Sequence, residues 1–479
     1  MNLSTKVAYN TIIQVVSKIV STFLGLIAMA VMTRYLGSAG FGEYTTVITF
    51  VSLFAIIADL GLTLVTTQMI NRPGVDQDKL LSNLFGFRLV SAVFLVGLAP
   101  LAIWFFPYGH DIKMGVLITS IAFFFLALNQ IFVSLFQKNL RTERIAIAEV
   151  SGRVILVAVV IMARVFDQGL NGMLWAIVYC NFLTFILHYI LAKRFAKVRL
   201  KFNWPIWREI MGRSWPLLLT IAFNLIYLKA DIIFLSLMKT KEEVGIYGAS
   251  YKVVDVLVTV PFLFAGIMLP ILVNRWSNNL KQDFFRILQK MFDLTAIMVI
   301  PLMFGGYFLA HNIMLLVAGS EFTASGPILQ ILLLSVGALF FACVFTHTMI
   351  SLDKQKKLII YYLITAVTAL PLYLVMIKKW SYFGAAWGTV YSEFLILIFA
   401  VILVWHYGKF LPNLKVFAKS LLASGIMAIG LFFASAWIQD SGWRLLGILI
   451  ISVLFYFSLL YWFKGISKQD LLALTNRKR

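Results

Sequence analysis

Apolar runs long enough to cross a membrane recur from one end of this 479-residue sequence to the other. Each run holds roughly 17 to 25 residues, the length that an α-helix needs to cross about 30 Å of hydrocarbon. Only helices and closed barrels satisfy every backbone polar group inside a bilayer, and runs of this length fit helices. We therefore predict an all-α, polytopic membrane protein with about fourteen transmembrane helices. Their predicted centres are Ser21, Leu53, Leu95, Phe125, Leu156, Phe182, Leu225, Thr259, Val299, Gly337, Ala366, Leu395, Met427 and Phe455.

The basic residues are distributed unevenly between alternate loops. Charged residues make up only 13% of the chain, about half of the usual share, which excludes an ordinary soluble enzyme. Most of the 41 Lys and Arg residues fall at the chain ends and in the even-numbered loops. The opposite loops hold Arg34, Lys113, Arg164, Lys239, Lys241, Lys378, Lys379 and Arg444. The positive-inside rule then predicts that both termini are cytoplasmic. Topology explains the basic excess, so no nucleic-acid partner is predicted.

A short motif occurs twice at equivalent positions of the predicted spans. Phe41-Gly42-Glu43-Tyr44 opens the second span, and Val244-Gly245-Ile246-Tyr247 opens the eighth. The Gly and the Tyr both recur 203 positions later. Six spans separate the copies, so the two copies have the same orientation. This arrangement is typical of parallel transporter repeats, which are related by an axis along the membrane normal.

These motifs and their order resemble those of Wzx-like, lipid-linked oligosaccharide flippases of the multidrug/oligosaccharidyl-lipid/polysaccharide (MOP) exporter superfamily. The segments that carry the resemblance are the amphipathic opening from Asn10 to Thr33, Arg34-Tyr35-Leu36-Gly37, Gly42-x-Tyr44, Asp59-Leu60-Gly61, Asp231 and Gly245-x-Tyr247. The resemblance implies two six-helix bundles around a central cavity, followed by two further helices. We accordingly expect the first bundle at 1–200, the second at 201–406, and two accessory helices with a basic cytoplasmic tail at 407–479.

Several charged side chains fall inside the predicted spans. The bases are Lys18, Arg153, Lys229 and Lys252, and the acids are Asp59, Glu149, Asp231, Asp255 and Glu393. Each would cost about 2.5 to 3.5 kcal/mol facing lipid near a helix centre, so they should face a wet cavity or one another. The Glu149/Arg153 and Lys252/Asp255 spacings also allow local helical ion pairs. Glu393 is either a proton or cation site or a packing carboxylate, and no metal site is predicted.

Polar residues draw stripes along the first two spans. The first stripe comprises Asn10, Gln14, Ser17, Lys18, Ser21 and Gly25, at intervals of three and four residues. The second comprises Thr45, Thr49, Ser52 and Asp59. Asn224 shares a helix face with Asp231 in the seventh span. Because so long a polar row needs polar partners inside a membrane, these faces are predicted to line an aqueous cavity.

The eighth span contains the first candidate for a hinge. Pro261 and Pro270 bracket Gly266 there. A proline inside a helix removes one backbone hydrogen bond and permits bending. A conformational change in transport is therefore predicted to bend this helix.

The resemblance implies a transporter that moves a polyprenyl-(di)phosphate-linked oligosaccharide across a prokaryotic cytoplasmic membrane by alternating access. The four bases are expected to bind the anionic phosphate groups, with membrane lipids and other polysaccharide-export components as partners. No cofactor is predicted, and coupling to a proton or sodium gradient is left open.

Two other functions compete with this one. A proton- or sodium-coupled multidrug or cation antiporter of the same superfamily would use the acids instead of the bases. A membrane glycan polymerase or ligase normally needs a sizeable external loop. The longest predicted external loop, around His311 to Phe322, is short and carries a single charge, Glu321. No enzymatic activity is therefore predicted.

Overall fold

The computed structural model describes residues 3–59, 61–70, 76–196, 198–435 and 442–465. Within these ranges the chain is helical, with no strand. The α-helices are α1 (Leu3–Asp59), α2 (Leu62–Ile70), α3 (Gln77–Ala102), α4 (His110–Lys138), α5 (Thr142–Val165), α6 (Gly169–Ala192), α7 (Trp204–Met238), α8 (Lys241–Ser277), α9 (Lys281–Ala318), α10 (Ser325–Ser351), α11 (Leu358–Gly408), α12 (Lys415–Ser435) and α13 (Gly442–Trp462). Short 3-10 turns occupy Ile103–Phe105, Ser320–Phe322 and Gln355–Lys357.

Two of these helices each contain two membrane-length segments joined at a kink. The 57-residue helix α1 breaks at Gly37, which has φ 66°, and the 51-residue helix α11 breaks at Ser381, which has φ 51°. Eleven described helices are long and apolar enough to cross a membrane, and α7 adds a further helix of 35 residues. The described part of the chain thus provides fourteen membrane-length segments, which confirms the prediction. The predicted loops at Arg34 and at Lys378–Lys379 are helix kinks.

The first of two compact units comprises Met1–Gly248. In it α1 packs against α3, α4, α5, α6 and α7, and α6 packs against α4 and α5. Side chains of Leu81, Phe132 and Phe136 are fully buried in one of its apolar clusters. The ends of its helices are defined locally: Asp76 caps α3 by accepting from the backbone N–H of Lys79 at 3.0 Å. This packing holds the α1–α5 face in a fixed position.

The second unit comprises Ala249–Arg479. Here α10 packs against α9 and α11, and α12 packs against α9 and α13. Tyr456 of α13 links three of these helices, because its hydroxyl lies 2.9 Å from Ser420 Oγ and donates to the Ile297 carbonyl at 3.0 Å. The contacts divide the chain at Gly248, whereas the division at 1–200, 201–406 and 407–479 stays a prediction.

Candidate functional site

Three of the predicted intramembrane charges come together in the first unit. Lys18 lies on α1, and Glu149 and Arg153 lie one turn apart on α5. Both cations interact electrostatically with the Glu149 carboxylate. Tyr44 and Cys180 lie within electrostatic range of Arg153 as well. We call Lys18, Glu149 and Arg153 the charged cluster; it carries two positive charges and one negative charge.

The charged cluster is partly open. Lys18 and Arg153 are exposed and Glu149 is half-buried. Among the side chains that the structure describes, no ion pair within 4 Å joins Glu149 to either cation, so the local Glu149–Arg153 bridge that the spacing allowed is absent. The cations therefore keep hydrogen-bond donors available for an anionic ligand.

A glycine next to Arg153 explains how α5 presents this side chain. A Cβ atom on Gly152 would lie 2.2 Å from Thr184 Oγ1 and 3.0 Å from the Cys180 carbonyl oxygen, so α5 approaches α6 closely on this face. Thr184 Oγ1 itself donates to the Cys180 carbonyl at 2.8 Å. Because Gly152 faces α6, Arg153 projects from a different face of α5 and stays exposed.

Asn10 is buried and holds a turn together. Its Oδ1 accepts from the Thr142 backbone N–H at 3.0 Å and from Thr142 Oγ1 at 2.6 Å. Its Nδ2 donates to the Leu140 carbonyl at 3.0 Å. Asn10 thus fastens α1 to the α4–α5 turn, and this geometry gives no support to a role in lining a cavity.

The remaining polar stripe has local partners. The Ser17 hydroxyl donates to the Gln14 carbonyl at 3.1 Å, and the Ser52 hydroxyl donates to the Thr49 carbonyl at 2.7 Å. Ser21 is buried, and its hydroxyl has no hydrogen-bond partner among the described residues. Backbone carbonyls therefore accept hydrogen bonds from part of the polar stripes, for which an aqueous cavity was the predicted partner. Asn224 lies outside the described side chains.

Asp59 is half-buried and forms an ion pair with a buried arginine that the sequence did not indicate. Arg88 Nη2 lies 2.6 Å from Asp59 Oδ1, and Arg88 Nε donates to the Ala127 carbonyl at 2.9 Å. Arg88 is only 2% exposed. The distribution of bases over loops places Arg88 in a predicted even-numbered loop, and this is wrong, because Arg88 lies inside α3. Its place within the apolar run of 80–105 was the available signal. The paired Asp59 carboxylate serves as an anchor between α1 and α3.

Asp231 is paired with the tyrosine of the second motif copy. It is 1% exposed, and Tyr247 donates its hydroxyl hydrogen to Asp231 Oδ2 at 2.6 Å. Tyr247 is fully buried. Lys229, two residues earlier on α7, is half-buried and interacts with neighbouring groups. The predicted exposure of Asp231 to a lumen is not seen in this geometry.

The second unit contains three of the predicted intramembrane charges, Lys252, Asp255 and Glu393. Lys252 and Asp255 form an ion pair of 3.7 Å within α8. Glu393 is buried on α11, and the nearby Thr389 and Ser392 hydroxyls donate to helix carbonyls. The described residues contain no group of three or more His, Cys, Asp or Glu that could hold a metal ion. The predicted hinge residues, Pro261, Gly266 and Pro270, lie in one continuous helix, and their role stays a prediction.

An apolar cavity of about 470 Å³ lies in the second unit. Side chains of α8, α9, α10, α12 and α13 line it, among them Leu257, Pro301, Leu333, Met427 and Leu449. Its lining includes few polar side chains. This cavity has the chemistry of a site for hydrocarbon.

Several solved structures share this fold. A lipid II flippase MurJ in an inward closed conformation matches with a TM-score of 0.73 and 17% identity, covering 97% of this chain and 100% of the other. An inward-facing multidrug resistance MATE family transporter of the MOP superfamily matches with a TM-score of 0.64 and 12% identity over 88% of this chain and 98% of the other. A MOP superfamily transporter from Pyrococcus furiosus matches with a TM-score of 0.61 and 12% identity, covering 89% of this chain and 96% of the other. At these identities the likeness establishes the fold, and it agrees with the predicted superfamily.

The sequence itself carries the family signal. No curated protein matches it significantly. The model of a family described as polysaccharide biosynthesis protein matches residues 31–327, which is more than half of the chain. This range includes both motif copies and the α5 residues of the charged cluster. The chain belongs to the polysaccharide biosynthesis protein family.

Proposed function

We propose that this multi-pass membrane protein flips a polyprenyl-(di)phosphate-linked oligosaccharide from the cytoplasmic to the outer leaflet, for cell-surface polysaccharide biosynthesis. The observation that carries the proposal is the charged cluster, where Lys18 and Arg153 are exposed around one acid. Family membership and a fold shared with a lipid II flippase support it.

The charged cluster suits a phosphate better than a cation. Arg153 offers a planar fork of N–H donors that matches phosphate oxygens, and Lys18 adds a compact charge. Glu149 offsets one of the two positive charges, so the cluster keeps a net charge near +1. A weakly cationic site attracts the anionic headgroup and still releases it, which a transporter requires.

The apolar cavity suits the other end of the same substrate. A polyprenyl chain gains about 0.8 kcal/mol for each methylene that leaves water, but gains nothing by leaving lipid for an apolar protein surface. A cavity lined by Leu257, Leu333 and Met427 therefore tolerates the chain without holding it strongly. The lipid tail can stay in an apolar environment while the headgroup moves.

The proposed transport needs no covalent chemistry, which agrees with the expectation of no enzymatic activity and no cofactor. We place the protein in a prokaryotic cytoplasmic membrane with both termini in the cytoplasm, because most of its basic residues lie on that side of the predicted spans. Other polysaccharide-export components are the expected partners. Coupling of this transport to a proton or sodium gradient is left open.

A multidrug or cation antiporter is the second candidate, and the buried Glu393 favours it. A buried carboxylate suits a proton or an inorganic cation, and a MATE family transporter shares the fold. In that function Lys18 and Arg153 would be dispensable and Glu393 essential.

Translocation in proteoliposomes tests the proposal. A polyprenyl-diphosphate oligosaccharide is reconstituted with wild type, Lys18→Ala, Arg153→Ala or the control Arg286→Ala. Arg286 is an exposed base of α9 that lies outside the charged cluster. We expect wild type and the control to move the headgroup, and the two cluster variants to fold but to lose about tenfold or more in rate. Exchange of an amphipathic cation against protons or sodium, without movement of the glycolipid, would favour the antiporter.

A further inference from the structure

The two motif copies contact each other directly at their glycines. A Cβ atom on Gly42 would lie 1.8 Å from the Lys241 carbonyl oxygen, and a Cβ atom on Gly245 would lie 1.9 Å from the Ser38 carbonyl oxygen. Ser38 and Lys241 are separated by the same 203 positions as the two glycines. The second half of α1 and the first turns of α8 therefore cross with two-fold symmetry. We call 38–45 and 241–248 together the crossing.

The crossing is closed along its length. Gly248 and Thr45 are a further equivalent pair, and a Cβ atom on Gly248 would lie 2.5 Å from Thr45 Oγ1. Phe41, Thr45 and Val244 are buried there. Each segment begins just after a break in the helical path, at Gly37 in one copy and between α7 and α8 in the other. Backbone-to-backbone packing of this kind leaves no room for water or a solute between the two helices.

Charge breaks the symmetry of the crossing. Glu43 and Lys241 form an ion pair, whereas the equivalent positions hold Ile246 and Ser38. Glu43 is 14% exposed and Lys241 is 54% exposed, so the pair lies at the rim of the crossing. Asp111 of α4 and Glu242 also act electrostatically on Lys241. Lys241 is thus paired with Glu43 of α1 and attracted by Asp111 of α4, and the symmetry-equivalent position Ser38 has no such charge.

We propose that the crossing closes the transport pathway on the external side and that the Glu43–Lys241 pair is its latch. The inference rests on the proposed function, because alternate opening is required only of a transporter. The latch lies at the rim, on the side of the predicted external loops. A partly exposed ion pair is weak enough to open in each cycle, and the glycines let the two helices meet again without strain.

Reversal of charge at the latch tests its opening without any substrate. The reporter is Thr45→Cys, a buried position inside the crossing, in a Cys180→Ser/Cys343→Ser background. Its alkylation by a membrane-impermeant maleimide is followed from the external side. We expect Lys241→Glu to label roughly three- to tenfold faster than the parent, and the swap Glu43→Lys/Lys241→Glu to return to within about twofold of it. Equal labelling rates in all three proteins would overturn the latch.

A cross-link tests whether the crossing must part during transport. Glu43→Cys/Lys241→Cys is joined by a short thiol-specific linker, and transport is measured before and after reduction. The matched control is Tyr35→Cys/Asp167→Cys on the other side of the Gly37 kink of α1, where the Tyr35 hydroxyl donates to Asp167 Oδ1 at 2.6 Å. We expect the first cross-link to stop transport reversibly and the control cross-link to leave it unchanged. Full transport by the cross-linked protein would show that the two segments of the crossing stay in contact throughout the cycle, and this would overturn the proposal.

The two tests separate the latch from the substrate. Labelling of Thr45→Cys needs no glycolipid, so it decides the latch even if wild type moves no polyprenyl-linked sugar. Failure of wild type in the glycolipid assay counts against the proposed substrate alone.

Discussion

The two copies of the Gly-x-Tyr motif make the same backbone contact but place their tyrosines in opposite surroundings. Gly42 and Gly245 meet each other at the crossing, each against a carbonyl of the other segment. Tyr44 of the first copy lies within electrostatic range of the Arg153 cation. Tyr247 of the second copy donates its hydroxyl hydrogen to the Asp231 carboxylate at 2.6 Å.

This difference means that the motif repeats a structural contact at its glycines but does not repeat a function at its tyrosines. The glycines are needed twice because the contact is symmetric, and any side chain on either would collide with backbone. The tyrosines take no part in this contact, and each meets a different helix: Tyr44 lies near Arg153 of α5, and Tyr247 bonds Asp231 of α7. The first copy adjoins the charged cluster, and the second is sealed around a buried carboxylate. We therefore expect the phosphate groups of the substrate to bind near Tyr44 of the first copy and not near Tyr247 of the second.

Substitution of either glycine should have the largest effect. Gly42→Val or Gly245→Val places a side chain where a carbonyl oxygen lies within 2 Å, so the helices must separate. We expect a loss of about 3 kcal/mol or more in each case, measured as reduced thermal stability in detergent. Gly25→Ala is the control, since nothing lies within 4 Å of its Cβ position. A large loss at one motif glycine only would contradict the symmetric contact.

Removal of the tyrosine hydroxyls should distinguish the copies. Tyr247→Phe deprives a buried carboxylate of its 2.6 Å donor and should cost about 1 to 3 kcal/mol of stability. Tyr44→Phe removes a buried hydroxyl that has no carboxylate partner among the described residues, and it should cost less, about 1 kcal/mol or below. Thermal unfolding of the two purified variants gives the comparison. Equal losses would mean that the two tyrosines have equivalent surroundings.

Neutralisation of Glu149 should sharpen the role of the first copy. Glu149→Gln keeps the size of the side chain and raises the net charge of the charged cluster by one unit. We expect inorganic pyrophosphate to bind about threefold to tenfold more tightly, with an effect that weakens as salt is raised. Titration calorimetry on the detergent-solubilised protein measures it. Unchanged affinity would separate Glu149 from the anion site.

Removal of Lys252 should have the smallest effect, although the sequence predicts that it binds the phosphate groups of the substrate. Lys252 lies just beyond the second copy on α8 and is paired with Asp255 at 3.7 Å, with both side chains partly exposed. Lys252→Ala should change stability by about 1 kcal/mol or less and glycolipid transport by about twofold or less. A loss as large as that of Arg153→Ala in the same flux assay would extend the anion site to the second copy.

Part of the site was predictable because its residues are unusual for a membrane helix. Lys18, Glu149 and Arg153 stood out as charges within apolar runs, and the structure brings them together. Their common neighbourhood was not predictable, because it depends on how α1 packs against α5. Asn10 and Asp59 also stood out, but their partners, Thr142 and Arg88, are distant in sequence, so no helical spacing relates them.

The sequence by itself determined the all-α polytopic fold, the number of spans and the family, because run length and motif order are properties of the chain alone. It also marked Gly42 and Gly245 as equivalent. Only the tertiary structure decided that these glycines touch, that Asp59 and Asp231 are paired, and that Lys18 and Arg153 remain exposed around Glu149. Each of these depends on the rotation and depth of one helix against another, and a helical period specifies a face but not the neighbour that it meets.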